Sequence, residues 1–109
     1  MAAAIVELEE QDLGQMLAGK KVVLVFWVWC APYRRMNRDL GLVAKQLPDT
    51  IQVIMVNIED HKHAATKYKI RAIPTVVILD DGEQKDTFIG EKPEGELLDR
   101  IKKAFDLTE

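Results

Sequence analysis

The run Val22-Val23-Leu24-Val25-Phe26-Trp27-Val28 constrains this chain more than any other stretch. It is apolar at every position and rich in β-branched side chains, which suit a pleated backbone better than a helix. A strand with one wet face alternates apolar and polar residues. This one does not, so it reads as a central strand covered on both faces. The apolar stretch ends at Cys30 and as a helix would rise only about 14 Å, too little to cross a bilayer.

The flanking segments supply the cover. Ile5 to Leu8 reads as a short first strand, and Glu9 to Gly19 as a helix with Leu13, Met16 and Leu17 on its apolar face and Gly19 as its stop. Pro32 suits the first turn of a second helix, where its missing N–H costs nothing. Met36, Leu40, Val43 and Leu47 then form one apolar stripe, while Arg34, Arg35, Arg38 and Lys45 keep most of the rest polar. Ile51 to Ile58 is another β-branched strand, followed by a short helix from Asp60 to Tyr68. Ile73-Pro74-Thr75 opens a strand through Leu79. Asp81-Gly82 marks a tight turn, and Lys85 to Ile89 is the returning strand. Pro93 begins a last helix that buries Leu97, Leu98, Ile101 and Phe105. This order predicts an α/β fold, a mixed sheet with helices on both faces. The 109 residues suffice for one core, so residues 1–109 are read as one domain.

Composition narrows the function. With 48% hydrophobic and 30% charged residues the chain is globular rather than disordered. Its net charge of −3 argues against a general nucleic-acid binder. The opening MAAAIVELEE lacks the basic and long apolar regions of a signal peptide, so a cytoplasmic setting is expected, with no membrane partner. The single cysteine, Cys30, excludes a disulfide-stapled secreted scaffold. His61 and His63 would lie about 200° apart on a helix. They are expected to be exposed helix residues and not zinc ligands, and neither metal nor cofactor is expected.

The chemistry concentrates in Trp29-Cys30-Ala31-Pro32-Tyr33. A thiol between a strand end and a helix N-terminus faces unpaired backbone N–H groups. These and the helix dipole favour thiolate, lowering the pKa from its free value of about 8.5. Arg34 and Arg35 add to this if they turn toward the sulfur. The alternative is an inert core cysteine.

Here the chain resembles the thioredoxin family. VVLVFWVWCAPY, from Val22 to Tyr33, is similar to that family's central strand and Trp-Cys-Gly-Pro-Cys site. Lys69 to Thr75 resembles the loop with its cis-proline, Asn57-Ile58-Glu59 its Asn-Ile-Asp strand end, and Asp81-Gly82 with Phe88-Ile89-Gly90 its terminal hairpin. The resemblance, from about Ile5 to Phe105, implies a thioredoxin fold. It also implies that Cys30 is the attacking thiol, shielded by Trp29 and set in a turn by Pro32. Pro74 would be cis, and with Ile73, Trp29 and Gly90 would border the groove for an extended substrate. Taken alone, an X-Pro bond would be read as trans.

The departures shape the functional expectation. Tyr33 stands where the family has its resolving cysteine, and Ala31 replaces a glycine. Leu24 matches the family's buried aspartate and Met55 its nearby buried lysine, so both charges are replaced by apolar side chains. Arg38 replaces a helix-kinking proline, and Trp27 fills core where a small residue is usual. Arg34, Arg35 and Arg38 form either a solvated helix face or a contact for an anionic peptide or glutathione. The expected function is a thioredoxin-like module with one active-site thiol. It would bind extended peptide or protein partners and form a mixed disulfide, but be impaired in dithiol disulfide reduction. The alternatives are a monothiol oxidoreductase resolved by glutathione or a second protein thiol, and a non-catalytic structural or assembly protein. A monomer or weak dimer is expected.

Overall fold

The computed structural model of the protein describes residues 2–9, 13–28 and 34–107, the side chains at 34 and 35 excepted. Its elements are β1 (Ala4–Glu7), α1 (Leu13–Leu17), β2 (Lys21–Trp27), α2 (Arg34–Lys45), β3 (Ile51–Asn57), α3 (Lys62–Lys67), β4 (Thr75–Asp80), β5 (Glu83–Ile89) and α4 (Glu94–Ala104). The five strands form one sheet in the order β1-β3-β2-β4-β5. β2 lies at its centre, parallel to β3 and antiparallel to β4. β1 joins β3 in parallel, and β4 and β5 form an antiparallel hairpin. The sheet is mixed and flanked by helices, as the element order predicts.

Burial explains the apolar run. Val22 to Phe26 are at most 1% exposed. Alternate side chains enter opposite layers. Val23, Val25 and Trp27 pack with Met36, Leu40, Val43 and Leu47 of the α2 side and Ile101 of α4. Val22, Leu24 and Phe26 pack with Leu8, with Leu17 of α1 and with the half-buried Tyr68 after α3. Each such aliphatic contributes about 1.5–3 kcal/mol when fully buried. The Tyr68 and Phe26 rings are tilted at 48° with centroids 5.9 Å apart.

Turn chemistry sets the hairpin. Asp81 and Gly82 have φ of 51° and 82°, the paired left-handed conformation that matches strand twist. The ladder closes at once, Asp80 opposite Glu83, so β5 begins two residues before Lys85. The Asp81 carboxylate accepts the Gly19 N–H, and the Asp81 N–H donates to the Lys20 carbonyl at 2.9 Å. The hairpin is thereby tied to the start of β2. In α4, Glu94 and Glu96 near the N-terminus and Lys102 and Lys103 near the C-terminus complement the helix dipole.

One expectation needs correction. His61 is not an exposed helix residue. The N–H groups of Asp60 and His61 both donate to the Asn57 carbonyl, a turn that delays the helix. His61 therefore becomes the half-buried residue capping α3, and its Nε2–H donates to the Leu8 carbonyl at 2.8 Å. His63 lies exposed on α3. Among the described residues no helix is long and apolar enough to cross a membrane, and no group of three or more His, Cys, Asp or Glu could hold a metal ion.

Candidate functional site

The strand register assembles one end of the sheet. Phe26 of β2 lies opposite Thr75, which in turn lies opposite Ile89 of β5. Pro74 therefore comes level with the end of β2, and Gly90 falls beside it. The Gly90 N–H donates to the Pro74 carbonyl at 2.8 Å. The Thr75 hydroxyl donates to the Ala72 carbonyl at 2.5 Å, fixing the loop that leads in. The Ile73–Pro74 peptide bond is cis. Pro74 is buried, and half-buried Ile73 packs against the α2/α4 layer. Gly90 has φ +95°, a conformation that strains any residue with a Cβ, and a Cβ placed there would meet nothing within 4 Å. The backbone demands glycine, and the space above it is open.

Under this edge lies a small cleft. Val25, Pro74, Phe88 and Gly90 line it from the sheet, and Asp39 and Leu40 from α2. Ile73, Pro74 and Gly90 are thus brought together. Trp29, Cys30, Ala31, Pro32 and Tyr33 lie outside the described residues. The sequence inserts them between Val28, just past β2, and Arg34, where α2 begins. That is the end of the sheet to which Pro74 and Gly90 belong.

Leu24 and Met55, the two positions matched to the family's buried charges, are both buried. Leu24 pairs with Ile54, and it is Val25 that lies in register with Met55. Leu24 faces the layer of Leu8 and Leu17, whereas Met55 faces the layer of α2 and α4. A shift of one residue along a strand moves a side chain to the other face. The residue beside Met55, facing the cleft, is Val25, and both are buried and uncharged. Arg38 is exposed, with 70% of its side chain accessible.

One residue lining the cleft was missed from sequence, Asp39. For Asp39 a signal exists. It follows Met36 by three and precedes Val43 by four, so it shares their helix face. It is buried, 7% exposed.

A five-stranded mixed sheet between two helical layers, with a cis-proline and a glycine at the end where a single cysteine follows the central strand, defines a thioredoxin-fold protein. The family profile described as Thioredoxin matches residues 4–103. The thioredoxin of Rickettsia prowazekii is 37% identical over 85 residues, 77% of this chain and 81% of that protein. The thioredoxin of Griffithsia pacifica is 35% identical over 96 residues, 86% of this chain and 88% of that one. Among solved structures, Fasciola hepatica thioredoxin superposes with a TM-score of 0.71 at 30% identity, covering 84% of this chain and 88% of that one. A mutant thioredoxin from Halobacterium salinarum reaches a TM-score of 0.81 at 23% identity, over 98% and 95% of the two chains, a likeness of fold. The chain belongs to the thioredoxin family.

Proposed function

We propose that this chain, as one domain over residues 1–109, is a thioredoxin-like binding module. It captures extended peptide or protein partners through Cys30 and does not complete dithiol disulfide reduction. The carrying observation is the Pro74–Gly90 edge, level with the end of β2, in a chain whose sequence holds a single cysteine two residues after Val28. The Cys30 thiolate attacks a partner disulfide, a new S–S bond forms, and the partner's other sulfur leaves as thiolate. Release needs a second thiolate to attack that mixed disulfide. Tyr33, at the resolving position, cannot form an S–S bond. The apolar Leu24 and Met55 fit this reading, since they offer no buried acid or base to assist a second thiol. A cytoplasmic monomer or weak dimer suits such a module.

The test is insulin reduction with thioredoxin reductase and NADPH, run beside stoichiometric capture of an activated disulfide. One capture per chain with no turnover is expected, and Tyr33→Cys should gain turnover. Turnover like that of an ordinary thioredoxin overturns the proposal. Turnover only with added glutathione would establish the monothiol oxidoreductase instead. No capture at all would leave a structural or assembly role.

A further inference from the structure

The loop between α3 and β4 carries a residue that its backbone does not favour. The Lys69 N–H donates to the Thr66 carbonyl at 3.1 Å, and the Ile70 N–H to the Ala65 carbonyl at 2.9 Å. That pair of bonds is the Schellman ending of a helix, in which the residue after the cap takes left-handed angles and is usually glycine. Here it is a lysine, at φ +55°. A residue with a Cβ is held there against its preference. Its side chain is exposed, so core packing gives no reason for it. A strained backbone kept under an exposed side chain points to a use for that side chain.

A groove beside Pro74 supplies the use. Lys69 and Arg71 line it, facing Thr87 and Ile89 of β5, with Thr75 between. Thr75 and Ile89 follow and precede Pro74 and Gly90 in the chain, so the groove continues the edge proposed above for an extended partner. Part of the lining is apolar: Ile70 packs against the core, Phe88 is buried, and Ile89 is 57% exposed. Lys69 and Arg71 are both exposed, and neither makes an ion pair with a described residue. No carboxylate is among the described residues that line the groove. The acids of β5 are engaged elsewhere, Glu83 with Lys85 at 3.1 Å and Asp86 with Arg100 at 3.0 Å. A partner leaving Pro74 along this side therefore meets two cations over a partly apolar surface.

We infer that Lys69 and Arg71 are specificity-determining residues that select partner segments carrying a glutamate or aspartate side chain a few residues from the cysteine that Cys30 captures. This rests on the peptide-binding reading above and adds the chemistry of the partner. Exposed ion pairs are individually weak and act mainly on the rate of association, so the two cations together favour the acidic partner by about 4-fold.

The experiment uses the full chain and nonapeptides of alanine and serine with one cysteine activated as the thionitrobenzoate disulfide. Cys30 attacks the peptide sulfur, the peptide–Cys30 S–S bond forms, and thionitrobenzoate leaves as the coloured thiolate whose release is timed. Glutamate, glutamine or lysine is scanned through the positions flanking the cysteine. Each rate is divided by that of the same peptide with the urea-unfolded chain, which removes the peptide's own reactivity. Glutamate should accelerate capture about 4-fold over glutamine at one or two positions on one side of the cysteine only, with lysine slowest. Glycine suits the backbone at φ +55°, so Lys69→Gly should not lower the urea midpoint while it cuts the glutamate-to-glutamine ratio to about 2. Lys69→Arg should keep the ratio, and Lys69→Gly with Arg71→Gln should bring it to about 1. In the unaltered chain, 1 M salt should shrink the ratio, a readout that needs no variant to fold. A ratio near 1 in the unaltered chain, an acceleration equal on both sides of the cysteine, or a ratio that survives the double substitution overturns the inference while leaving peptide capture standing. If the folded chain captures no peptide and the urea-unfolded chain does, the peptide-binding reading falls, and the role of Lys69 and Arg71 with it.

Discussion

The two faces of the sheet are built from the same strands and differ in one respect. The face covered by α1 and α3 is apolar where it meets the sheet. Leu24, Phe26, Ile54, Val77 and Leu79 lie there at no more than 2% exposure among other apolar side chains. The face covered by α2 and α4 is equally apolar at its centre, but toward Pro74 it opens into a cleft and buries a carboxylate. Adjacent residues of one strand, Leu24 and Val25, therefore sit in different surroundings. The lesson is that tolerance to polarity belongs to the layer, and a strand's hydrophobicity does not reveal which of its faces has it.

The sharpest way to break this contrast is to place the same charge on each face. Leu24→Asp should destabilise the fold by about 4 kcal/mol or more, because the carboxylate replaces a fully buried side chain among apolar neighbours. Val25→Asp should cost about 2 kcal/mol less, because its side chain borders the cleft. Urea unfolding midpoints measure both, and equal losses would show that the cleft lends no polarity to its wall.

A smaller effect comes from removing the charge already present. Asp39→Leu should raise stability by about 1 kcal/mol, read as a higher urea midpoint at unchanged slope. A loss of stability would mean that the fold itself holds the carboxylate well, and the contrast between the faces would narrow.

The smallest effect belongs to the face of α1 and α3. Burial pushes the Tyr68 phenol above its usual 10.0. Folded chains therefore keep that proton at pH values where unfolded chains have lost it. The associated stability is fully present below pH 10 and is lost as pH rises through the folded-state value. Tyr68→Phe should flatten part of the alkaline fall in thermal midpoint, and an unchanged slope would show that Tyr68 gains no protection from its layer.

Much of the fold was legible because local chemistry and tertiary context agree. The β-branched runs became β2 and β3, the stripe from Met36 to Leu47 became the buried side of α2, and Asp81-Gly82 turned the hairpin. The error arose where the answer depends on a distant carbonyl. His61 is claimed by the carbonyls of Asn57 and Leu8, neither of which its own helical spacing reveals. At the site, Pro74 and Gly90 were legible from their motifs. Asp39 was hidden among charged neighbours, although its spacing from Met36 and Val43 placed it inside.

The topology also orders assembly in time. β4 and β5 meet across the two residues Asp81 and Gly82, a loop that closes quickly. β1 instead pairs Ala4 with Gln52, and must wait while α1, β2 and α2 are laid down between the partners. During translation β1 leaves the ribosome first among the strands and finds its neighbour long afterwards. The hairpin, made last of the strands, completes its own ladder almost as it emerges.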